Sequence, residues 1–317
     1  MSILDELSAF METGRTDVAR FLYSAPARYR VFSIKKRNGD DRQIAQPSAT
    51  LKIMQRFVLD QKLAPLPVHA AASAYASGKS IRHNAEVHRS AKFILKLDFE
   101  QFFPSLTVRD WRNYVRSKQP AGIEEADGIH YERLLFWGGG GFTPEKLSIG
   151  APTSPTISNI LMYEFDSEVS RYAADVGASY TRYADDVTFS SDSHKDLVRL
   201  ETLTTQYVKK LRSPKLTFNA TKRGLYGPGE KKMVTGLLLT PTGGVSIGRD
   251  RKRLISAMMH RAVKGELDIL QIGHLKGLLG FAVAAEPDFL ARLRAKYGNA
   301  AVDQVMKTHL PPRLRQS

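Results

Sequence analysis

The sequence predicts an α+β fold, with antiparallel hairpins set into a mostly helical chain. Three observations carry this. VFSIKK (31–36) and DRQIA (41–45) flank an Asn38-Gly39 pair, the strongest short-range hairpin signal. SYTRYADDVTFS (179–190) alternates as two strands around a tight acidic turn. Between the two, Ile157, Ile160, Leu161, Phe165, Val169 and Tyr172 line one helical face that runs until Gly177.

The remaining elements follow in order. After the first hairpin, Leu51, Met54, Phe57 and Val58 recur at helical spacing. FILKL (93–97) reads as a short strand ending at Asp98, and Thr107 with Asp110 predicts a capped helix carrying Trp111, Tyr114 and Val115. GGGGFTP (138–144) is expected to be a flexible loop, and Ser154-Pro155 a helix cap with a first-turn proline. MVTGLLL (233–239) and GGVSIG (243–248) suggest a further hairpin, with Gly236 permitting a bend in the first strand. From Arg249 onward the pattern is helical and basic, ending in a loose tail, PPRLRQS.

Charge narrows the partner class. Forty-seven Lys and Arg against 32 Asp and Glu give +15, a surplus that points to a polyanion. It is uneven: Arg28 to Arg56 holds eight basic residues against two acidic, and Arg249 to the end thirteen against six, so these flanks are the candidate nucleic-acid surfaces. The absence of cysteine excludes disulfides and thiolate zinc sites, and the eight histidines show no paired metal-ligand spacing. Any metal must therefore rely on oxygen ligands. No apolar run approaches the ~20 residues of a membrane span, and MSILDELSAFMETG lacks the features of an export signal, so a cytoplasmic location is expected. Ser77-Gly78-Lys79-Ser80 imitates a phosphate-binding loop, but Ser73 stands where its first glycine is required.

Asp185 and Asp186 share one turn between apolar strands, where two carboxylates need a counter-charge. Asp98, at the end of another strand, supplies a third. Three carboxylates suit a pair of Mg²⁺ ions about 3.5–4 Å apart, the arrangement used for in-line phosphoryl transfer. An Asp-Asp pair alone is ordinary turn chemistry; its neighbours make it informative.

Tyr183-Ala184-Asp185-Asp186 resembles the YxDD signature of reverse transcriptases. LKLDFEQFFPSL (95–106) resembles their first catalytic motif and SIGAPTSPTISN (148–159) the motif that contacts template and incoming nucleotide, in matching order. Asn84-Ala85-Glu86-Val87-His88 and Val234-Thr235-Gly236 resemble the NAxxH and VTG motifs of retron enzymes. The resemblance runs from about Tyr29 to Gly298. It implies a right-hand polymerase architecture: fingers from 1–97 with part of 105–147, palm from 98–104 and 148–248, and a helical thumb from 249–317.

The resemblance also implies roles. Asp98, Asp185 and Asp186, with the Phe99 carbonyl, become ligands of two Mg²⁺ ions. Phe103 falls where the family keeps a ring that excludes a ribose 2′-hydroxyl. Arg42, with Lys35 or Lys36, takes the position that contacts the triphosphate. Gly150, Ala151 and Pro152 are expected along the nascent base pair, though Ile149 stands where many relatives carry glutamine. Lys222 aligns with a lysine that protonates pyrophosphate. Asn84, Ala85, His88, Val234, Thr235 and Gly236, with Arg249, Arg251, Lys252 and Arg253, are the expected RNA grip, His88 being open to reading as a plain satisfied core histidine. The implied partners are dNTPs and a structured noncoding RNA that serves as primer and template, giving branched msDNA from a guanosine 2′-hydroxyl. An effector is implied for phage defence, SAPARYRVFSIKK and SIGRDRKR pointing to an ATPase with an HNH nuclease; no membrane partner is expected. Two other readings stay open: another bacterial reverse transcriptase of the group II intron type, and an idle RNA-binding antitoxin subunit. A nucleotide cyclase would carry a GG[DE][DE]F-type turn in place of YADD.

Overall fold

The computed structural model of the chain describes residues 1–35 and 39–309. Lys36, the Asn38 half of the first turn and the 311–317 tail lie outside the described residues.

Helices α1 (Ile3–Phe10) and α2 (Arg15–Ser24) precede an antiparallel ribbon of β1 (Tyr29–Lys35) and β2 (Asp41–Pro47), whose register runs from Tyr29↔Pro47 to Lys35↔Asp41. Next come α3 (Ala49–Val58), α4 (Ile81–Val87), β3 (Phe93–Asp98), α5 (Phe102–Ser105), α6 (Val108–Lys118) and α7 (Gly128–Leu135). The expected cap of α6 is present as a reciprocal Thr107–Asp110 box. The 138–144 loop is tied at its start rather than free: Gly138 N donates to Pro26 O at 3.0 Å, and Gly141 N to Gly138 O at 2.8 Å.

The long helical face after residue 153 is two helices, α8 (Ser154–Leu161) and α9 (Tyr163–Ala174). They part at Met162, whose ψ of 0° breaks the turn, and the N-cap is Thr153, so that Ser154 is already helical. Phe165 and Val169 still reach the core, because the break leaves the apolar side of both helices facing inward.

β4 (Ser179–Tyr183) and β5 (Asp186–Ser191) are followed by α10 (His194–Lys210) and β6 (Gly224–Tyr226). With β3 they form a sheet of order β4-β5-β3-β6, every paired neighbour antiparallel. Alternation gives it two different faces. Leu95, Leu97, Tyr180, Val187 and Phe189 enter the larger core. The opposite face carries Ile94, which joins a second core, and Asp98, Thr181, Asp186, Thr188 and Ser190. The β4 edge is clasped by the segment ahead of α4: Arg182 N donates to Ala71 O at 2.9 Å and Ser73 N to Arg182 O at 2.8 Å.

A second small sheet holds β7 (Met233–Val234), β8 (Leu237–Leu239) and β9 (Val245–Ser246). MVTGLLL is therefore not one bent strand. Val234 pairs with Leu237, so Thr235 and Gly236 are the two central residues of a hairpin turn. Both have positive φ, 47° and 76°, as a type I′ turn requires. The chain ends in α11 (Arg249–Val263), α12 (Ile269–Ala285), α13 (Pro287–Tyr297) and α14 (Asn299–Lys307), which bury Ile255, Leu275, Leu279, Leu293 and Val302 with Val234, Leu237 and Ala85 in the second core. Among the described residues no helix is long and apolar enough to cross a membrane.

Candidate active site

Tyr183 pairs with Asp186, which leaves Ala184 and Asp185 as the turn between β4 and β5. Ala184 has φ 56°, a left-handed conformation that costs a non-glycine residue about 1–2 kcal/mol. A buried cation holds it there. The Arg182 guanidinium, closed to solvent, donates from Nη1 to Ala184 O at 3.0 Å. Its Nε and Nη2 grip Asp166 at 2.8 and 2.6 Å, and Nη2 also reaches Asn159 Oδ1 at 3.2 Å. Tyr180 OH completes the cluster on Asp166 at 2.7 Å. Burial alone would pull the arginine's pKa down, but the Asp166 charge more than reverses it and the group stays ionised. Breaking such a pair from one side costs about 3–5 kcal/mol.

The turn is fastened to β3 as well. Asp98 lies directly across from Asp186, and Phe99 N donates to Asp185 O at 3.0 Å. The Phe99 ring is buried and stacked on Phe218, with centroids 4.5 Å apart, so the peptide after Asp98 is held from two sides. Lys222 Nζ meets Asp98 Oδ1 at 2.6 Å. Burial pulls the lysine pKa down, yet the bond to Asp98 and the nearby Asp185 and Asp186 charges raise it overall, so the group stands protonated beside the acids.

The acids are short of positive charge. Burial, then the Asp98 charge, raises the Asp185 carboxyl. Asp186 is pushed up to about 6 by burial, and by Asp185 and Asp98 against the opposing pull of Lys96. Among the described residues no three Asp, Glu, His or Cys side chains are gathered closely enough to hold a metal ion by themselves. An Mg²⁺ site finished by water and substrate phosphates does not need such a cluster. An oxygen-only donor set, two facing carboxyls and a third on the adjoining turn suit such an ion.

Asp98 and Asp185 line an open cleft together with Arg42, Tyr75, Phe103 and Lys222. Phe102 and Phe103 both line the cleft, but Phe102 is buried while Phe103 is half-buried, with its ring centroid 6.5 Å from that of Tyr75. Lys35 is paired with Asp41 at 2.9 Å. The register sets Arg42 opposite Ile34, so Lys35 and Arg42 project from opposite faces of the ribbon.

Two groups of expected site residues lie elsewhere than on the cleft wall or the open surface. Gly150, Ala151 and Pro152 are not the cleft lining, which takes Ser148 and Ile149 from this segment. Gly150 instead admits β2: a Cβ there would stand 3.0 Å from Ala45 O, and Ala45 N donates to Ile149 O at 2.9 Å. The expected RNA grip is also mostly internal. Asn84, Ala85, His88 and Val234 are closed to solvent, so none of these side chains is offered to RNA. Arg251 donates to Gly236 O at 2.8 Å and Lys252 pairs with Glu286 at 2.6 Å, which leaves Arg249 and Arg253 as the exposed pair of the four. Thr235 bonds Ile81 O at 2.8 Å and Gly236 is exposed.

Sequence reasoning overlooked Arg182, Asp166, Asn159 and Tyr75. Arg182 left a signal: it alternates with Thr181 and Tyr183 and shares a face with Tyr180, so it had to point inward and needed a partner. Asp166, beside Phe165 on an apolar helix, was that partner.

Residues 34–233 match the reverse transcriptase (RNA-dependent DNA polymerase) family. The chain is similar to the retron Ec83 reverse transcriptase of Escherichia coli, 33% identical over 95% of this chain and 97% of that protein. It is similar to the retron Ec86 reverse transcriptase of the same organism at 30%, over 94% and 91%. Among solved structures it resembles apo telomerase from Candida tropicalis, with TM-score 0.50 and 11% identity over 91% of this chain and 59% of that one, a likeness of fold.

Proposed function

The chain belongs to the reverse transcriptase family, among its retron members, and from that premise we propose that it copies a structured noncoding RNA into msDNA, starting from a guanosine 2′-hydroxyl. It is an RNA-directed DNA polymerase with a right-hand polymerase fold. The observation that carries the site assignment is the facing Asp98–Asp186 pair with Asp185 on the adjoining turn, Asp98 and Asp185 lining an open cleft.

Each addition joins the primer hydroxyl oxygen to the α-phosphorus of a dNTP and breaks the bond to the bridging oxygen, releasing pyrophosphate. Asp98, Asp185, Asp186 and the Phe99 carbonyl would hold two Mg²⁺ ions, which when bound activate the hydroxyl and stabilise the departing charge. The chain's own groups do the rest. Arg42 orients the triphosphate through its fork of donors. Lys222 carries the proton given to pyrophosphate. Phe103 closes the space a ribose 2′-hydroxyl would need. Fingers (1–97 with part of 105–147), palm (98–104 and 148–248) and thumb (249–317) divide the work, Arg249 and Arg253 holding RNA phosphates from the thumb. The biological setting is phage defence, in which polymerase and msDNA restrain an effector protein, of the ATPase and HNH nuclease kind.

The test is to incubate purified protein with its RNA, Mg²⁺ and dNTPs and sequence what forms. DNA joined to RNA by a 2′–5′ link is expected. DNA primed only from a 3′-hydroxyl overturns the priming assignment, and DNA of normal yield from Asp185→Asn overturns the site.

A further inference from the structure

Helix α4 and the residue that caps it carry all three fixed positions of NAxxH, and each faces a neighbouring element. His88 sets Nε2 2.8 Å from Thr181 Oγ1 on β4 and Nδ1 2.8 Å from Ser190 Oγ on β5. Asn84 lies one helical turn earlier on the same side. Its Oδ1 is 2.7 Å from Ser73 Oγ, in the loop that clasps Arg182. Ala85 enters the second core with Val234, and Thr235 Oγ1 donates to Ile81 O at 2.8 Å. The helix thus touches the hydroxyl-bearing face of β4 and β5 on one side and the 233–237 turn on the other.

A buried sheet face lined with hydroxyls needs a partner for each, since an unpaired group costs about 1–3 kcal/mol. A neutral imidazole has one donor and one acceptor on opposite sides of a rigid ring. It satisfies one hydroxyl on each strand and fixes their spacing, two residues before Tyr183 and four after Asp186. Burial pushes the His88 pKa down to about 3, so the ring stays neutral at working pH.

We propose that NAxxH is a strut rather than an RNA contact: His88 and Asn84 are positioning residues that set the β4–β5 turn, and α4 links that turn to the 233–237 hairpin through Thr235. This rests on the assignment of Asp185 and Asp186 to the reacting site.

The test compares wild type with His88→Leu, His88→Gln, Thr181→Val, Ser190→Ala and Thr235→Val. Three quantities are measured: amide exchange in EDTA, affinity for the structured RNA in EDTA, and kcat and KM for dTTP on poly(rA)/oligo(dT). His88→Leu, Thr181→Val and Ser190→Ala are expected to speed exchange at 179–191, and to lower kcat roughly tenfold or more for His88→Leu, without changing KM or RNA affinity. His88→Gln, which keeps a donor and an acceptor, recovers part of kcat. Thr235→Val speeds exchange in α4. Should His88→Leu not fold, the two hydroxyl deletions carry the comparison. The strut is overturned by RNA affinity that falls while kcat on poly(rA)/oligo(dT) holds, by unchanged exchange at 179–191, by acceleration spread evenly over the molecule, or by unchanged exchange in α4 of Thr235→Val. Exchange is read without metal or turnover, so an active Asp185→Asn, which sinks the site assignment, leaves this outcome separately legible.

Discussion

A carboxyl buried beside two others ionises reluctantly, and that reluctance links the site to stability. Asp186 has its pKa raised from an ordinary 3.8 to about 6. Its favourable contribution is therefore complete below about pH 4 and is lost as the pH climbs through about 6. In EDTA, wild type should lose melting temperature across that window relative to Asp186→Asn, and Mg²⁺ should restore it above pH 6.5 in wild type only. Equal pH profiles for the two proteins would break the argument. Asp185→Asn should lower DNA synthesis at least 10²–10³-fold, roughly the loss seen when one charge-stabilising group is removed, with RNA affinity retained. Phe103 is the more exposed of the two rings that border the cleft, so Phe103→Val should raise the use of ribonucleotides relative to deoxynucleotides by roughly 10–200-fold in kcat/KM. Unaltered discrimination would return Phe103 to a packing role.

At the scale of elements, the β7–β8 turn places two consecutive residues at positive φ. Gly236→Ala should lower stability by about 1–2 kcal/mol, seen as a reduced urea midpoint with an unchanged slope. No loss would mean that the turn relaxes to another type. This turn also shows what was legible in the sequence. Local signals named the hairpins at 29–47 and 179–191, the α6 cap and the strand ending at Asp98, because each is settled within a few residues. They misread 233–239 as one strand, since Thr235-Gly236 is not one of the Asn-Gly or Asp-Gly pairs that announce a two-residue turn. They joined α8 to α9 because the apolar stripe continues past the break at Met162. Motif resemblance singled out Asp98, Asp185, Phe103 and Lys222, which the fold brings to one cleft. The packing partners of Asn84, His88 and Gly150 were not legible, because Ser73, Thr181, Ser190 and Ala45 lie at sequence distances no local pattern encodes.

Across the whole molecule, +15 is a net charge in which pairs such as Arg182–Asp166, Lys252–Glu286 and Lys222–Asp98 already cancel, so the nucleic-acid grip depends on where the surplus cations stay exposed. Arg249 and Arg253, on the first turns of α11, remain exposed. Replacing either by alanine should weaken RNA binding and flatten its salt dependence, each lost phosphate contact removing roughly 0.7–0.9 from the slope of log K against log salt. An unchanged slope would place the RNA elsewhere. One feature of the fold reaches beyond catalysis. β4 ends the sheet, yet the clasp of Ala71 and Ser73 on Arg182 takes up main-chain groups that an edge strand leaves open, and β6, the other edge, spans only Gly224–Tyr226. Open edges recruit strands from neighbouring copies and seed aggregates. With one border capped at Arg182 and the other only three residues long, the four-stranded sheet offers a neighbouring copy little main chain to pair with.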